Sequence, residues 1–222
     1  MTMRTSSPAR ARSKPSSHER ILKAGKTLFA QRGYENTSTG AIARAAGTSE
    51  SQLIKHFTSK EGLLEAVFDE GWEKLNQGAR LLHELPSPAH KLRGLVDLVL
   101  EGLENDGPLK ELMLLEGRRI RKEGHMVVLT QGFLEFIATL DGILTEMRDA
   151  GLLRGDVAVP VARSALIGIL EGLLRDQLLA QRAGFPAPYS TADLRHMFEI
   201  VLEALTRRGA ESKSSHPASR QE

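Results

Sequence analysis

Between Ser49 and Lys60 the sequence gathers side chains able to hydrogen-bond to base edges and phosphates: Ser51, Gln52, Lys55 and His56, with Glu50 beside them. Gln52 can make paired hydrogen bonds to adenine, and Lys55 can donate to guanine O6 or N7. The Glu50 carboxylate can accept from cytosine N4 but repels phosphate, which favours specificity over affinity. To act together these groups must lie along one side of a thin rigid rod. Leu53 and Phe57, four residues apart, give a short helix an apolar inner side and leave the polar set outward. A helix about 10–12 Å across fits the roughly 12 Å major groove of B-DNA.

The flanking residues supply what such a rod needs to be held in place. Ser49 caps it, after a tight turn at Gly47-Thr48-Ser49. Before the turn, Ser38 caps a helix whose buried side is Ile42, Ala43 and Ala46, and Gly47 ends it in the left-handed conformation. Further upstream a helix starts near Ser16 or Ser17, with Glu19 and Arg20 in its opening turn. It buries Ile21, Leu22, Leu28 and Phe29 and ends at Gly33. Tyr34 then packs under the hairpin, and Ser59-Lys60-Glu61 opens a further helix whose N-terminus is placed to hold a phosphate.

A helical hairpin with a glycine between its arms occurs in many unrelated folds, so the flanks decide. Ile21-Leu22, Ala24-Gly25, Leu28-Phe29, Gly33-Tyr34, Thr37, Ile42-Ala43, Ala46-Gly47, Ser49, Leu53, His56-Phe57 and Ser59-Lys60-Glu61 resemble the N-terminal domain of the TetR family of bacterial transcriptional regulators over about residues 18–64. The resemblance implies that Thr37 and His56 meet phosphate. The expected DNA-binding set is Thr37, Ser38, Ser49, Glu50, Ser51, Gln52, Lys55, His56 and Lys60. It also implies that the helix from Ser59 joins two domains and transmits movement, and that the last two long helices of each subunit form a four-helix dimer interface. The sequence departs from the family where Ile54 and Lys55 replace frequent aromatic residues and Glu50 replaces a frequent lysine or arginine, so the operator cannot be carried over from relatives. Gly40 and Thr48 also replace commoner residues and are expected to weaken the second helix and the turn.

Composition agrees with a polyanionic partner at one end only. Of 222 residues, those up to Gly62 carry 11 Lys/Arg against 4 Asp/Glu, and the remainder carries 19 against 24. The head is thus basic and the body acidic. There is no cysteine, which excludes disulfides and thiol chemistry. The seven histidines are scattered without a metal-ligand spacing, and neither a nucleophile elbow nor a glycine-rich phosphate loop is present. The sequence therefore points to no enzyme, no metal and no cofactor. It has no apolar run of eighteen residues, so a soluble cytoplasmic protein is expected.

The expected architecture is all-α. Residues 1–16, with Arg4, Arg10, Arg12 and Lys14, form a disordered basic arm that either reaches phosphates or the minor groove or is a plain solvated tail. Residues 17–62 form a three-helix, helix-turn-helix DNA-binding domain. Residues 63–208 form a larger helical ligand-binding and dimerisation domain, and 209–222 a disordered tail. Within the larger domain the apolar periodicity predicts helices from Ser59 past Leu75, over about 89–105, 109–121, 125–150, 159–183 and 191–207. Trp72 is expected to be a packing residue. A pocket for a small-molecule effector is expected at Met113, Phe133, Phe136, Ile137 and Glu171. The dimer face is expected at Ala165, Gly168, Ile169, Gly172, Leu173, Met197 and Val201, where Gly168 and Gly172 suggest an unusually close neighbour. The expected function is a regulator, a repressor released from a palindromic operator by its effector. The alternative is a helical small-molecule-binding or interaction protein that has lost specific DNA binding.

Overall fold

The computed structural model describes residues 15–117 and 129–206. Among them the secondary structure is helical apart from one isolated antiparallel bridge between Leu153 and Thr206. None of the helices there is long and apolar enough to cross a membrane. The chain divides into two compact units between Val67 and Phe68. That is later than the expected boundary at Gly62, because Leu63, Leu64 and Val67 are fully buried in the core of the first unit.

The first unit holds α1 (Ser17–Arg32), α2 (Thr39–Ala45), α3 (Glu50–Phe57) and the start of α4 (Lys60–Leu81). Each of the first three begins at a serine that accepts a backbone N–H: Ser16 from Glu19, Ser38 from Ala41 and Ser49 from Gln52. In return the Ser16 N–H donates to the Glu19 carboxylate at 2.7 Å, closing a capping box. Ile21, Phe29, Ile42 and Leu53 meet in the core of this unit, where α1 packs on α2 and α3. Gly47, at φ +63°, makes the turn between α2 and α3.

The second unit continues α4 and adds α5 (Pro88–Asn105), α6 (Gly107–Leu115), α7 (Gln131–Asp149), α8 (Val159–Ala183) and α9 (Thr191–Leu205), with a single 3-10 turn at Leu82–Glu84. Helix α5 packs on α6 and α7, and α8 packs on α6, α7 and α9. Two helices differ from the periodicity. α6 stops at Leu115, where the N–H groups of Glu116 and Gly117 both turn back to the Leu112 carbonyl. α7 starts at Gln131 rather than near His125, because Thr130 accepts the Phe133 N–H and caps it there. Residues 118–128, which hold the end of the expected 109–121 helix and the start of the expected 125–150 helix, lie outside the described residues.

Helix α4 grips the first turn of α7 by its backbone. The Asp69 carboxylate accepts the Gly132 N–H at 3.0 Å, and the Asn76 amide donates to the Gly132 carbonyl at 2.9 Å. A Cβ on residue 132 would lie 2.8 Å from the Cβ of Trp72, so only glycine fits. Trp72 is buried, as expected, with its ring 5.0 Å from those of both Phe133 and Phe136.

Candidate nucleic-acid interface

Helix α3 is oriented by two side chains and by a strained joint. Leu53 and Phe57 are buried, which turns Ser51, Gln52 and Lys55 outward, all three exposed. The Ser49 and Ser51 hydroxyls share a hydrogen bond at 2.9 Å, so the start of α3 carries an ordered pair of hydroxyls on its open side. At its end Thr58 has φ +65°, a conformation that a β-branched residue adopts only under constraint. The Phe57 carbonyl there accepts the Ser59 N–H at 2.6 Å across Thr58, and Ser59 caps α4 by accepting the Gly62 N–H at 2.9 Å. A Cβ at Gly62 would sit 2.3 Å from that same Phe57 carbonyl oxygen. α3 therefore runs into α4 with no spare room.

The remaining expected contact residues are engaged within the protein. Thr37 is 1% exposed, and its hydroxyl donates to the Gly33 and Leu28 carbonyls at 2.8 and 3.3 Å. It fixes the link into α2 and does not offer its hydroxyl to a phosphate, contrary to expectation. Glu50 accepts a hydrogen bond from the Thr39 hydroxyl in the first turn of α2, so its carboxylate is turned back onto the hairpin. Gly40 lies beside that carboxylate, 3.4 Å from the position of a Cβ. His56 Nε2 is hydrogen-bonded to the Ser17 hydroxyl at 3.0 Å, and its ring meets that of His18 edge-on. Lys60 donates to the Tyr34 carbonyl at 3.0 Å with its ammonium 4.2 Å from the Tyr34 ring centroid. Ser38 and Ser49 are exposed at the helix N-termini that they cap.

Two side chains that the sequence did not single out complete this arrangement. Arg20 Nε donates to the Ala46 carbonyl at the end of α2 at 2.9 Å, and its Nη1 donates to the Pro15 carbonyl at 3.1 Å. His18 lies against Phe57 with ring centroids 4.7 Å apart. Both partnerships cross long stretches of sequence, and no local pattern marks them.

In the second unit, Met113, Phe133, Phe136 and Glu171 line one apolar cavity of about 90 Å³ together with Trp72 and residues of α5 such as Leu95 and Val99. Ile137 is not among its walls. It faces an adjoining groove between α7 and α8, shared with Gly168, Gly172 and Arg175, because it is turned about 100° around α7 from Phe136, while Phe133 and Glu171 line both spaces. The contribution of α5 was hidden in the sequence, where Leu95 and Val99 look like ordinary core positions. On α8 and α9, Ala165, Gly168 and Met197 are exposed, and Ile169, Gly172, Leu173 and Val201 are half-buried. Among the described residues, and apart from its own helix backbone, nothing lies within 4 Å of a Cβ at Gly168, and at Gly172 only the Arg175 guanidinium does, at 4.0 Å. The described residues supply no close neighbour to these glycines. Among the described residues no His, Cys, Asp and Glu side chains are grouped to hold a metal ion.

Comparison with known proteins gives a consistent set. The family model described as "Bacterial regulatory proteins, tetR family" matches residues 21–67. The transcriptional regulator UidR of Escherichia coli K12 is 27% identical over 206 residues, covering 83% of this chain and 92% of the relative. Among solved structures, the fatty acid degradation regulator FadR of Bacillus halodurans superposes with a TM-score of 0.73 at 22% identity, covering 87% of this chain and 96% of its own. FadR of Bacillus subtilis, solved in complex with stearoyl-CoA, gives 0.72 at 24% identity over 84% of this chain and 96% of its own. At these identities the two structures speak for the fold.

Proposed function

We propose that the chain is a member of the TetR family of bacterial transcriptional regulators, whose model matches residues 21–67, and that it works in the cytoplasm as a homodimeric repressor released from a palindromic operator by a hydrophobic effector. The unit that ends at Val67 is the DNA-binding domain, and the unit that begins at Phe68 is the effector-binding and dimerisation domain. Ser51, Gln52 and Lys55 read bases from the major groove, while Ser38, Ser49 and the helix N-termini at those residues face phosphates. Glu50, His56 and Lys60 act chiefly by bracing α3 through Thr39, Ser17 and Tyr34. The observation that carries this reading is the outward row Ser51, Gln52, Lys55 on a capped helix whose inner side is fully packed. Two such helices related by a dimer axis would meet half-sites about one DNA turn apart.

The effector would enter the cavity bounded by Trp72, Phe133 and Phe136. Its walls are apolar apart from Glu171, so an effector with a substantial apolar portion fits. The stearoyl-CoA held by the Bacillus subtilis relative has such a portion. Binding there would favour a conformation in which the two reading helices are wrongly spaced, and operator affinity falls by that coupling energy. Arg163 and Arg175 line the neighbouring groove and leave room for a polar end.

Selection of bound duplexes from a random library tests the central claim. A palindromic consensus is expected, and a Gln52→Ala, Lys55→Ala double variant of unchanged helicity and mass should no longer enrich it. Binding that stays non-specific and disappears with modest added salt would favour the alternative of a ligand-binding protein without an operator.

A further inference from the structure

Within residues 15–67 every leucine, isoleucine, valine, phenylalanine and tyrosine is buried except Ile54, which is 44% exposed. This one uncovered aliphatic side chain lies on α3, one helical turn on from Glu50 and next to the outward Lys55. A helix turns by about 100° per residue, so Ser51 and Lys55 point directly away from Leu53 and Phe57, with Ile54 on one flank and Gln52 on the other. The flank of Ile54 is also that of Glu50, whose carboxylate is occupied by Thr39. That edge of the helix consequently offers hydrocarbon, whereas the edge of Gln52 offers hydrogen bonds.

We infer that Ile54 is a specificity-determining residue that reads the C5-methyl group of a thymine in each half-site. Thymine is the only base that presents an apolar group in the major groove. A methyl group against Ile54 would remove apolar surface of both partners from water. Guanine, adenine or cytosine at that position would instead set a polar edge against a side chain unable to hydrogen-bond. Ile54 thus selects for thymine and Gln52 for adenine on opposite flanks of one helix. This inference rests on the reading of α3 as the major-groove element.

The experiment uses the full chain and the duplex that it enriches from a random library. Each thymine of that duplex, with its symmetry mate, is replaced in turn by deoxyuridine, which removes only the methyl group. One thymine per half-site is expected at which the replacement weakens binding about fourfold for each methyl removed. Ile54→Ala should bind the thymine and uracil duplexes equally well, and Ile54→Val should retain most of the discrimination. An enriched duplex in which no thymine shows the effect overturns the inference while leaving α3 as the reading element. So does an effect that persists unchanged in Ile54→Ala. Failure to enrich any duplex overturns both.

Discussion

Glu50, on the first turn of α3, separates a base-reading role from a bracing one. Its carboxylate lies at the N-terminus of α2 and accepts from Thr39 there, where the helix dipole favours a negative charge. Glu50→Ala should therefore lower the stability of the first unit by about 0.5–1 kcal/mol and leave the selected base sequence unchanged. A shifted consensus with unaltered urea unfolding would restore Glu50 to the reading face. Gln52→Ala should relax one base position per half-site at a cost of about 1–3 kcal/mol for each adenine contact, seen as a flattened column in repeated selection. The caps at Ser16, Ser38 and Ser49 could be read in the sequence because a cap and its partner are three residues apart. The fates of Glu50, His56 and Lys60 could not, because their partners come from elsewhere in the fold: Thr39, Ser17 and Tyr34. A polar residue on a predicted surface helix gives no sign of whether its side chain is already occupied.

Among the elements, α4 is held closely to its neighbours at glycines, its own Gly62 and the Gly132 of α7 among them. Gly132→Ala would force a methyl group against Trp72 and Asp69, with neighbours 2.8 and 2.9 Å away. The expected cost is about 1–3 kcal/mol of overpacking, measurable by urea unfolding, and the bonds from Asp69 and Asn76 would lengthen with it. Periodicity located α8 at 159–183 because its apolar pattern and its stop at Gly184 are both local. The first turn of α7 was misplaced because its start depends on the cap at Thr130 and its position on the grip from α4 at Gly132. Helix α9 opens with its own acid-sensitive box: the Ser190 N–H and hydroxyl, donating at 2.7 and 2.8 Å, hold the Asp193 carboxyl below the usual carboxylate range. With its pKa lowered by folding, Asp193 contributes stability above the ordinary carboxylate pKa and loses it as pH falls through the lowered value. Fraying of α9 should therefore set in under acid conditions, and Asp193→Asn should make the protection of its first-turn amides, relative to their intrinsic exchange rates, independent of pH across that range.

At the scale of the whole molecule, the open space over Gly168 makes the proposed dimer unusually easy to test. A Cβ there has nothing within 4 Å among the described residues beyond its own helix backbone, so Gly168→Leu should leave helicity and monomer stability intact. It is expected to shift the solution mass from dimer towards monomer and to weaken palindrome binding at least tenfold, whereas an unaltered dimer mass would place the interface elsewhere. The division into a basic head and an acidic body was visible in the charge distribution, but the partition of the larger unit into a cavity and a groove was not, since it turns on which side of α7 each apolar residue faces. The joint at Thr58 and Gly62, finally, bears on how relatives of this protein can come to prefer new operators. With the Phe57 carbonyl occupying the space of a Cβ at position 62, α3 can neither slide nor lengthen without rebuilding the start of α4. Descent can then alter its reading only by exchanging side chains on a helix of fixed pose, so operator preference should drift one base position at a time rather than by a shift of the whole half-site.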